Sequence, residues 1–559
     1  MADDPPPPTI IPPRAPAIPT TTPPPAPTMA FTSCTSDDAA LKRVPGRRTD
    51  DPAYKKRGFR PPSAWYPTGV KPTDGNQVIA YTYGLCTFAD MADALSTALS
   101  SDHRIYIIGW STDKGTQLKP GTGGTLEDYL TRSRAQIRAM FYDGNITLTP
   151  LIKVKTDVEN KWVNDAINNL PNGASVIDAK LPPLGIHHQK LLVVQGQFGL
   201  VAFIGGMDIA PSRAAISPPG EPWHDTQIRI AGPAALDCRK AFEDRWLDHP
   251  ATLVLDQKLG VSATSTRDAR RAVAFPQPAA LDLEGLQSST MENRSRRADR
   301  RVTVAVGRTF ANMKKAGASS EYSFAPSGDY SAWSLIETGI KQAVRWIYLE
   351  DQYLVSRMAR KALLDKFADP SFEFLLMVMN GSGAAGKDFR YLVTARNEFR
   401  RDLQKIDRRR WGLYTLKDSN NSERQKWCGT YLHSKTWIFD DGYVVLGSAN
   451  CDNRGYTFDT EIVAGIAEKD EISIALGESF ATDLRTRLWF KHLGVPHAQL
   501  RDFEKGLKFW RQLPTTAMVV DSSGLEPDPD LDPPAPFPAP DAAANVDKLW
   551  SKVIDPDAR

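Results

Sequence analysis

The stretch His187-His188-Gln189-Lys190-Leu191-Leu192-Val193-Val194, with its later echo His433-Ser434-Lys435-Thr436-Trp437-Ile438-Phe439, decides how this chain of 559 residues folds. In an extended strand, residues i and i+2 share a face, so His188 projects with Lys190 and His433 with Lys435. The apolar runs that follow have the unbroken character of strands buried on both faces of a sheet. The first copy leads to Gly205-Gly206-Met207-Asp208, and the second passes Asp440 to reach Gly447-Ser448-Ala449-Asn450. A lone His-x-Lys on a strand is usually incidental. Two copies, each followed by a strand and a glycine-led polar turn, are hard to obtain by chance.

A repeated histidine–lysine pair suits phosphodiester chemistry through a covalent phosphohistidine. One imidazole attacks phosphorus and another protonates the departing alcohol. Two ammonium groups hold a phosphate whose charge rises in the transition state. Glycines at 205, 206 and 447 allow a backbone to approach an anion closely, and Ser448 and Asn450 are expected to donate to phosphate oxygens.

The residues His188, Lys190, His433, Lys435, Asp440, Gly447, Ser448 and Asn450 resemble the paired HxKxxxxD motifs of the phospholipase D superfamily. The second copy matches fully, whereas Gln195 stands at the Asp position of the first. In the family that Asp supports the local fold, so a local structural change with retained activity is expected. His187-His188-Gln189-Lys190, Gly205-Gly206-Met207-Asp208, Pro222-Trp223-His224-Asp225 and Ile230-Ala231-Gly232-Pro233-Ala234 resemble the phospholipase branch with eukaryote-like motifs, which also has bacterial members. The similarity runs from about residue 75 to 500. It implies an α/β fold, a duplicated sandwich of two mixed-sheet lobes about a pseudo-twofold axis with the active site between them.

The resemblance also implies roles. His188 becomes the nucleophile, and His433 the general acid and then base; symmetry of the sequence alone leaves these two interchangeable. Lys190 and Lys435 neutralise the non-bridging oxygens, with Ser448, Asn450 and the Gly206 turn in substrate binding. Each imidazole needs an acceptor on its other nitrogen to fix the tautomer. Asp225 and Glu461 stand at corresponding distances past the two motifs and are assigned that task, with Asp459 as the alternative to Glu461. Asp208 occupies the place of Asn450 and is expected to orient neighbouring donors. His187 and His224 read as supporting residues. No cofactor and no metal are implied.

The rest of the chain fits a two-lobed enzyme. Its hydrophobic content of 41% is ample for a core, and a formal charge of +3 does not announce nucleic acid. Cys34, Cys86, Cys238, Cys428 and Cys451 lack paired spacing and suggest neither a disulfide framework nor a zinc site. Residues 1–75 form a proline-rich arm and lead-in without the features of a secretory signal, and no apolar run is long enough to span a membrane. The expected lobes are 76–257 and 321–505, joined by a basic linker or loop at 258–320. A Pro/Asp-rich tail at 506–559 contains an acidic segment from Glu526 to Pro540 and a short amphipathic piece from Val546 to Ile554.

Within the lobes, Phe88 to Leu99 reads as a helix before a strand at Arg104 to Trp110, and Ser331 to Val344 as a helix before a strand at Trp346 to Leu354. A further strand is expected at Ile146 to Val154 in one lobe and at Phe372 to Met379 in the other. The arginines Arg267, Arg270, Arg271, Arg294, Arg296, Arg297, Arg300 and Arg301 are either a solvated linker or a face for anionic lipid. Arg396, Arg400, Arg401, Arg408, Arg409 and Arg410, with Glu398, Asp402 and Asp407 among them, read equally as a salt-bridged helix.

The expected activity is hydrolysis of the headgroup phosphodiester of a glycerophospholipid to phosphatidic acid, with transphosphatidylation. A phosphatidyltransferase, a nuclease and an inactive membrane-binding scaffold are the alternatives. The expected partner is a phospholipid surface touched from the cytoplasm, with a regulatory or secretion partner for the proline-rich arm and export as an effector as a further option.

Overall fold

The computed structural model describes residues 60–524, apart from 120–123, 150–151, 156–158, 215–222, 280, 282–299, 381–389, 418–430, 470–472 and 475–476. Residues 1–59 of the proline-rich arm and lead-in, the acidic tail segment, the Val546–Ile554 piece and Arg294, Arg296 and Arg297 lie outside the described residues.

Fifteen strands form one continuous mixed sheet. In chain order the strands of the first half are β1 (Thr73–Tyr81), β2 (Arg104–Gly109), β3 (Gln136–Tyr142), β4 (Gly173–Asp178), β5 (Leu191–Gly196), β6 (Gly199–Gly205) and β7 (Gln227–Ala231). Those of the second are β8 (Val302–Thr309), β9 (Trp346–Asp351), β10 (Phe374–Met379), β11 (Trp411–Leu416), β12 (Thr436–Phe439), β13 (Tyr443–Gly447), β14 (Glu461–Ala467) and β15 (Val519–Asp521). From the centre outward one half runs β1-β7-β6-β5-β2-β3-β4 and the other β8-β14-β13-β12-β9-β10-β11, with β15 added at the outer edge. In each half β2-β3-β4 and β9-β10-β11 run parallel, while the inner strands and the edge strand β15 pair antiparallel. The duplication therefore extends to topology, and β1 and β8 join the halves edge to edge.

Both faces of the sheet are buried, as the unbroken apolar runs require. In β2, Ile105 and Ile107 pack on one face while Tyr106 and Ile108 pack on the other. One core spans both halves beneath the helices Pro233–Asp248 and Phe480–Leu493; the opposite face carries a separate core for each half. Local signals fit these elements. Phe88, Met91, Ala92 and Leu95 give the helix Gly84–Ser96 one apolar face, and Pro233 starts its helix directly after Gly232. Among the described residues no helix is long and apolar enough to cross a membrane.

Two expected elements differ. Ile146 to Val154 is a hairpin of Asn145–Thr149 and Ile152–Lys155 outside the main sheet, because Pro150 interrupts the run. Its expected place is filled by β3, whose Gln136, Arg138, Ala139 and Met140 favour helix locally but are held extended between β2 and β4. The supposed linker also contains a central strand, β8, and the helix Arg267–Ala274.

Most of the described arginines in the basic segments have internal partners. Arg270 pairs with Asp256 and Arg271 with Glu243, while Arg360 bridges Glu398 and Asp402. Arg396 donates to the Asn380 carbonyl, and Arg410 to those of Phe367, Asp369 and Phe372. Cys86 is held in a disulfide, a bond the cysteine spacing did not announce, while Cys238 and Cys451 are free and buried.

Candidate active site

The start of β5 lies beside the end of β2, and the start of β12 beside the end of β9, through the pairs Leu191–Ile108 and Thr436–Glu350. All the motif residues consequently gather at one end of the sheet. His188 to Lys190 and His433 to Lys435 occupy the extended lead-ins just before β5 and β12. The turns beginning at Gly205 and Gly447 follow β6 and β13 at the same end.

Two short main-chain pairings stitch the halves together there. The His188 amide donates to the Thr460 carbonyl and the Thr460 amide to the Ile186 carbonyl. Trp223 and His224 pair in parallel with Tyr431 and Leu432, and the His433 amide donates to the His224 carbonyl at 2.7 Å. Each lead-in histidine is thereby placed beside a carboxylate from the opposite half. His188 Nδ1 lies 2.8 Å from Glu461 Oε1, and His433 Nδ1 lies 2.7 Å from Asp225 Oδ2. With each Nδ1–H donated to a carboxylate, the Nε2 atoms are left for chemistry.

The lysines have different surroundings. Lys190 Nζ is 3.3 Å from Asp208 Oδ2 and 5.4 Å above the Trp110 ring. Lys435 Nζ donates to the neutral Gln352 Oε1 at 3.2 Å. Each also donates to the carbonyl of its own histidine. Burial dominates the electrostatics. It holds both catalytic-candidate imidazoles well below the usual histidine range, reinforced by Lys190 and Lys435 around His188 and by Lys435 and Arg213 around His433. Burial raises Asp225 to about 7 and Glu461 well above the usual carboxylate range. It lowers Lys435 to about 8, against the opposing pull of Asp225 and Asp351.

Glu461, rather than Asp459, reaches an imidazole: Asp459 accepts from the Ile186 amide and pairs with Arg454. Asp208 accepts from the Trp110 and Ser111 amides at 2.8 and 3.1 Å, ordering the turn after β2. The Ser448 hydroxyl, expected on phosphate, donates instead to Glu461 Oε2 and so braces the carboxylate behind His188. Asn450 Oδ1 is buried without a hydrogen-bond partner among the described residues. Gly206 makes room for a protein anion: a Cβ there would sit 2.1 Å from Asp225 Oδ1.

Asp440 accepts from the Val344, Arg345 and Trp346 amides at the start of β9. Gln195 stays within β5 and makes a long contact of 3.4 Å with Arg239. His187 pairs with Asp178, which also pairs with Arg245 and His249 and accepts from the Lys180 amide. His224 and His492 both direct Nε2 at Glu350, each at 2.7 Å. These three are the one group among the described residues with ligand atoms clustered as a metal ion would need, all within 4.8 Å.

Sequence reasoning missed Trp110, Gln352 and Arg213. The first two are positioned by the sheet, one residue beyond Gly109 and Asp351. Arg213 carries no motif, but it follows Asp208 by five residues.

A family model described as Phospholipase D matches residues 382–513, which include the second His-x-Lys motif. The chain is 21% identical to phospholipase D alpha 4 of Arabidopsis thaliana over 521 residues, covering 72% of this chain and 63% of the relative. It is 24% identical to phospholipase D alpha 2 of Oryza sativa subsp. japonica over 554 residues, covering 75% and 64%. The chain thus spans less than two thirds of the length of these curated relatives. Among solved structures, it aligns with a phosphatidylserine synthase of Haemophilus influenzae at 12% identity and a TM-score of 0.48, over 87% of this chain and 95% of that one. It also aligns with Nuc of Salmonella typhimurium, a phospholipase D family member, at 15% identity and a TM-score of 0.22, over 40% and 99%. The family match over the second motif and the plant relatives make the chain similar to the phospholipase D superfamily, in keeping with its two His-x-Lys copies.

Proposed function

We propose that the protein is a phospholipase D, hydrolysing the headgroup phosphodiester of glycerophospholipids to phosphatidic acid. The observation that carries this reading is the crossed pair of imidazole–carboxylate hydrogen bonds, His188 with Glu461 and His433 with Asp225. His188 Nε2 attacks phosphorus as the bond to the headgroup oxygen breaks, and His433 delivers a proton to that oxygen. A phosphatidyl–histidine remains. His433, now neutral, takes a proton from water; the hydroxide attacks phosphorus and the P–N bond breaks, restoring His188. A primary alcohol entering in place of water gives transphosphatidylation by the same steps.

Burial depresses both imidazoles alike, so the division of labour rests on the resemblance of the motifs. A neutral His188 has the free lone pair a nucleophile needs. His433 must become charged to act as acid, and the incoming phosphate supplies the negative field that offsets Lys190, Lys435 and Arg213. The plant phospholipases D to which the chain is similar favour a lipid substrate, and a phospholipid surface is the partner this reading requires.

The test is incubation of the protein with mixed phospholipid vesicles, a primary alcohol and a chelator, beside His188→Ala and His433→Ala. Phosphatidic acid and phosphatidyl alcohol from the unaltered protein alone are the expected result. Absence of both lipid products defeats the proposal.

A further inference from the structure

One buried cation beside the reacting groups has no task in the steps above. Arg213 is almost fully buried, yet its Nε has no hydrogen-bond partner among the described residues. Its guanidinium lies 3.5 Å from the centre of the Trp223 ring, and Nη1 donates to the Ser212 hydroxyl at 2.8 Å. The approach of Nη2 to Asp208 Oδ2 is 3.8 Å, beyond hydrogen-bond reach. The corresponding turn of the second half treats its arginine differently. Arg454 forms two bonds to Asp459, at 2.9 and 2.8 Å, and one to the Leu184 carbonyl. Arg213 is thus ion-paired with Asp208 but not hydrogen-bonded to it, with Asp225 adding to the same pull, and its buried Nε is a donor that an arriving anion can meet.

The place of Arg213 indicates which anion. Trp223 also packs on His433, with ring centres 4.9 Å apart, and on Tyr431 at 4.7 Å. The free Nε therefore belongs to the side of the site served by His433, where the alcohol leaves. Two aromatic rings there could form part of a cage for a quaternary ammonium. The guanidinium already covers Trp223 and would repel such a group.

We propose that Arg213 selects phospholipids with an acidic headgroup, binding the headgroup anion through Nε and discriminating against choline. This rests on the phospholipase D reading and specifies its substrate.

The test compares kcat/KM for phosphatidylserine and phosphatidylcholine at equal mole fraction in neutral detergent micelles, together with hydrolysis of bis(p-nitrophenyl) phosphate. The unaltered protein should favour phosphatidylserine by about tenfold or more, the size of one charge-assisted hydrogen bond. Arg213→Gln should collapse that ratio, whatever loss the two lipids share, and Arg213→Lys should restore most of it. A protein that cleaves both lipids equally, or an Arg213→Gln variant that loses both in proportion, overturns the inference and leaves the phospholipase reading standing. Failure on both lipids with cleavage of the soluble diester defeats both readings and points to a different phosphodiester. Failure on all three defeats them as well and removes phosphodiester hydrolysis.

Discussion

The first half and the second share a strand order but launch their second strands differently. Before β9, the Asp440 carboxylate accepts three main-chain amides, those of Val344, Arg345 and Trp346. Before β2, the equivalent position is Gln195, which remains in its strand; the turn is held from within, His103 Nδ1 accepting the Leu99 and Ser100 amides. Arg104 adds bonds to the carbonyls of Ser101 and His103. A motif position can therefore be vacated when its structural work moves to a neighbouring side chain, while His188 and Lys190 next to it stay in place. The halves also differ in what surrounds each lysine, a carboxylate for Lys190 and an amide for Lys435. Similar folds thus support inequivalent chemistry.

The sharpest way to break the equivalence is at the histidines. His188→Ala and His433→Ala should each lower turnover by about 10,000-fold or more. Only His433→Ala should accumulate a covalent adduct from a substrate with a nitrophenol leaving group, because that substrate needs no acid. Intact mass followed by peptide mapping reads this directly; an adduct on His433 in His188→Ala would reverse the roles.

The crossed carboxylates come next. With the nitrophenol substrate, whose leaving group needs no acid, Glu461→Gln should slow formation of the adduct and Asp225→Asn its hydrolysis, each by about 100-fold to 10,000-fold, as expected when an imidazole loses the acceptor that fixes its tautomer. Rapid-quench kinetics separate the two steps. If Asp225→Asn slowed formation and left hydrolysis untouched, the crossing would have no catalytic meaning.

Asp440 and Gln195 test the structural half of the comparison. Asp440→Ala leaves three amides without their acceptor and should cost about 2–4 kcal/mol in a denaturant titration, whereas Gln195→Ala should cost about 1 kcal/mol or less. Equal losses would mean that the first half uses Gln195 much as the second uses Asp440.

The smallest effect concerns pH. Asp225, raised to about 7, must be ionised to stabilise a charged His433, so activity should fall as pH drops through that value. Lys435, lowered to about 8, loses its positive charge as pH rises through 8, so kcat/KM should fall on that side as well. Lys435→Arg keeps its charge and should move the alkaline limb upward by a unit or more. An unmoved limb would transfer that titration to another group.

Much of this was legible in residues. The i, i+2 geometry of His188 with Lys190 and of His433 with Lys435, the paired helix–strand order and the two turns located the motifs at one end of a buried sheet. Glu461 and Asp225 were found by their corresponding places after the two motifs. Their crossing was not legible, because it depends on Thr460 pairing with His188 and on Trp223 and His224 pairing with Tyr431 and Leu432, contacts separated by more than 200 residues. The strand β3 was hidden by helix-favouring residues that only burial between two neighbours overrides. Arg213 was hidden for another reason. Its importance lies in the partner it lacks, and no linear pattern records that.

Because each imidazole borrows its acceptor from the other half, neither half holds a complete imidazole–carboxylate pair by itself. A nascent chain that has completed only β1 to β7 carries His188 with no carboxylate against it and Asp225 with no histidine. Glu461, in the last of the duplicated strands, must be synthesised and docked before His188 is tuned for attack. Under the proposed reaction, turnover therefore waits until the whole duplicated sheet has closed.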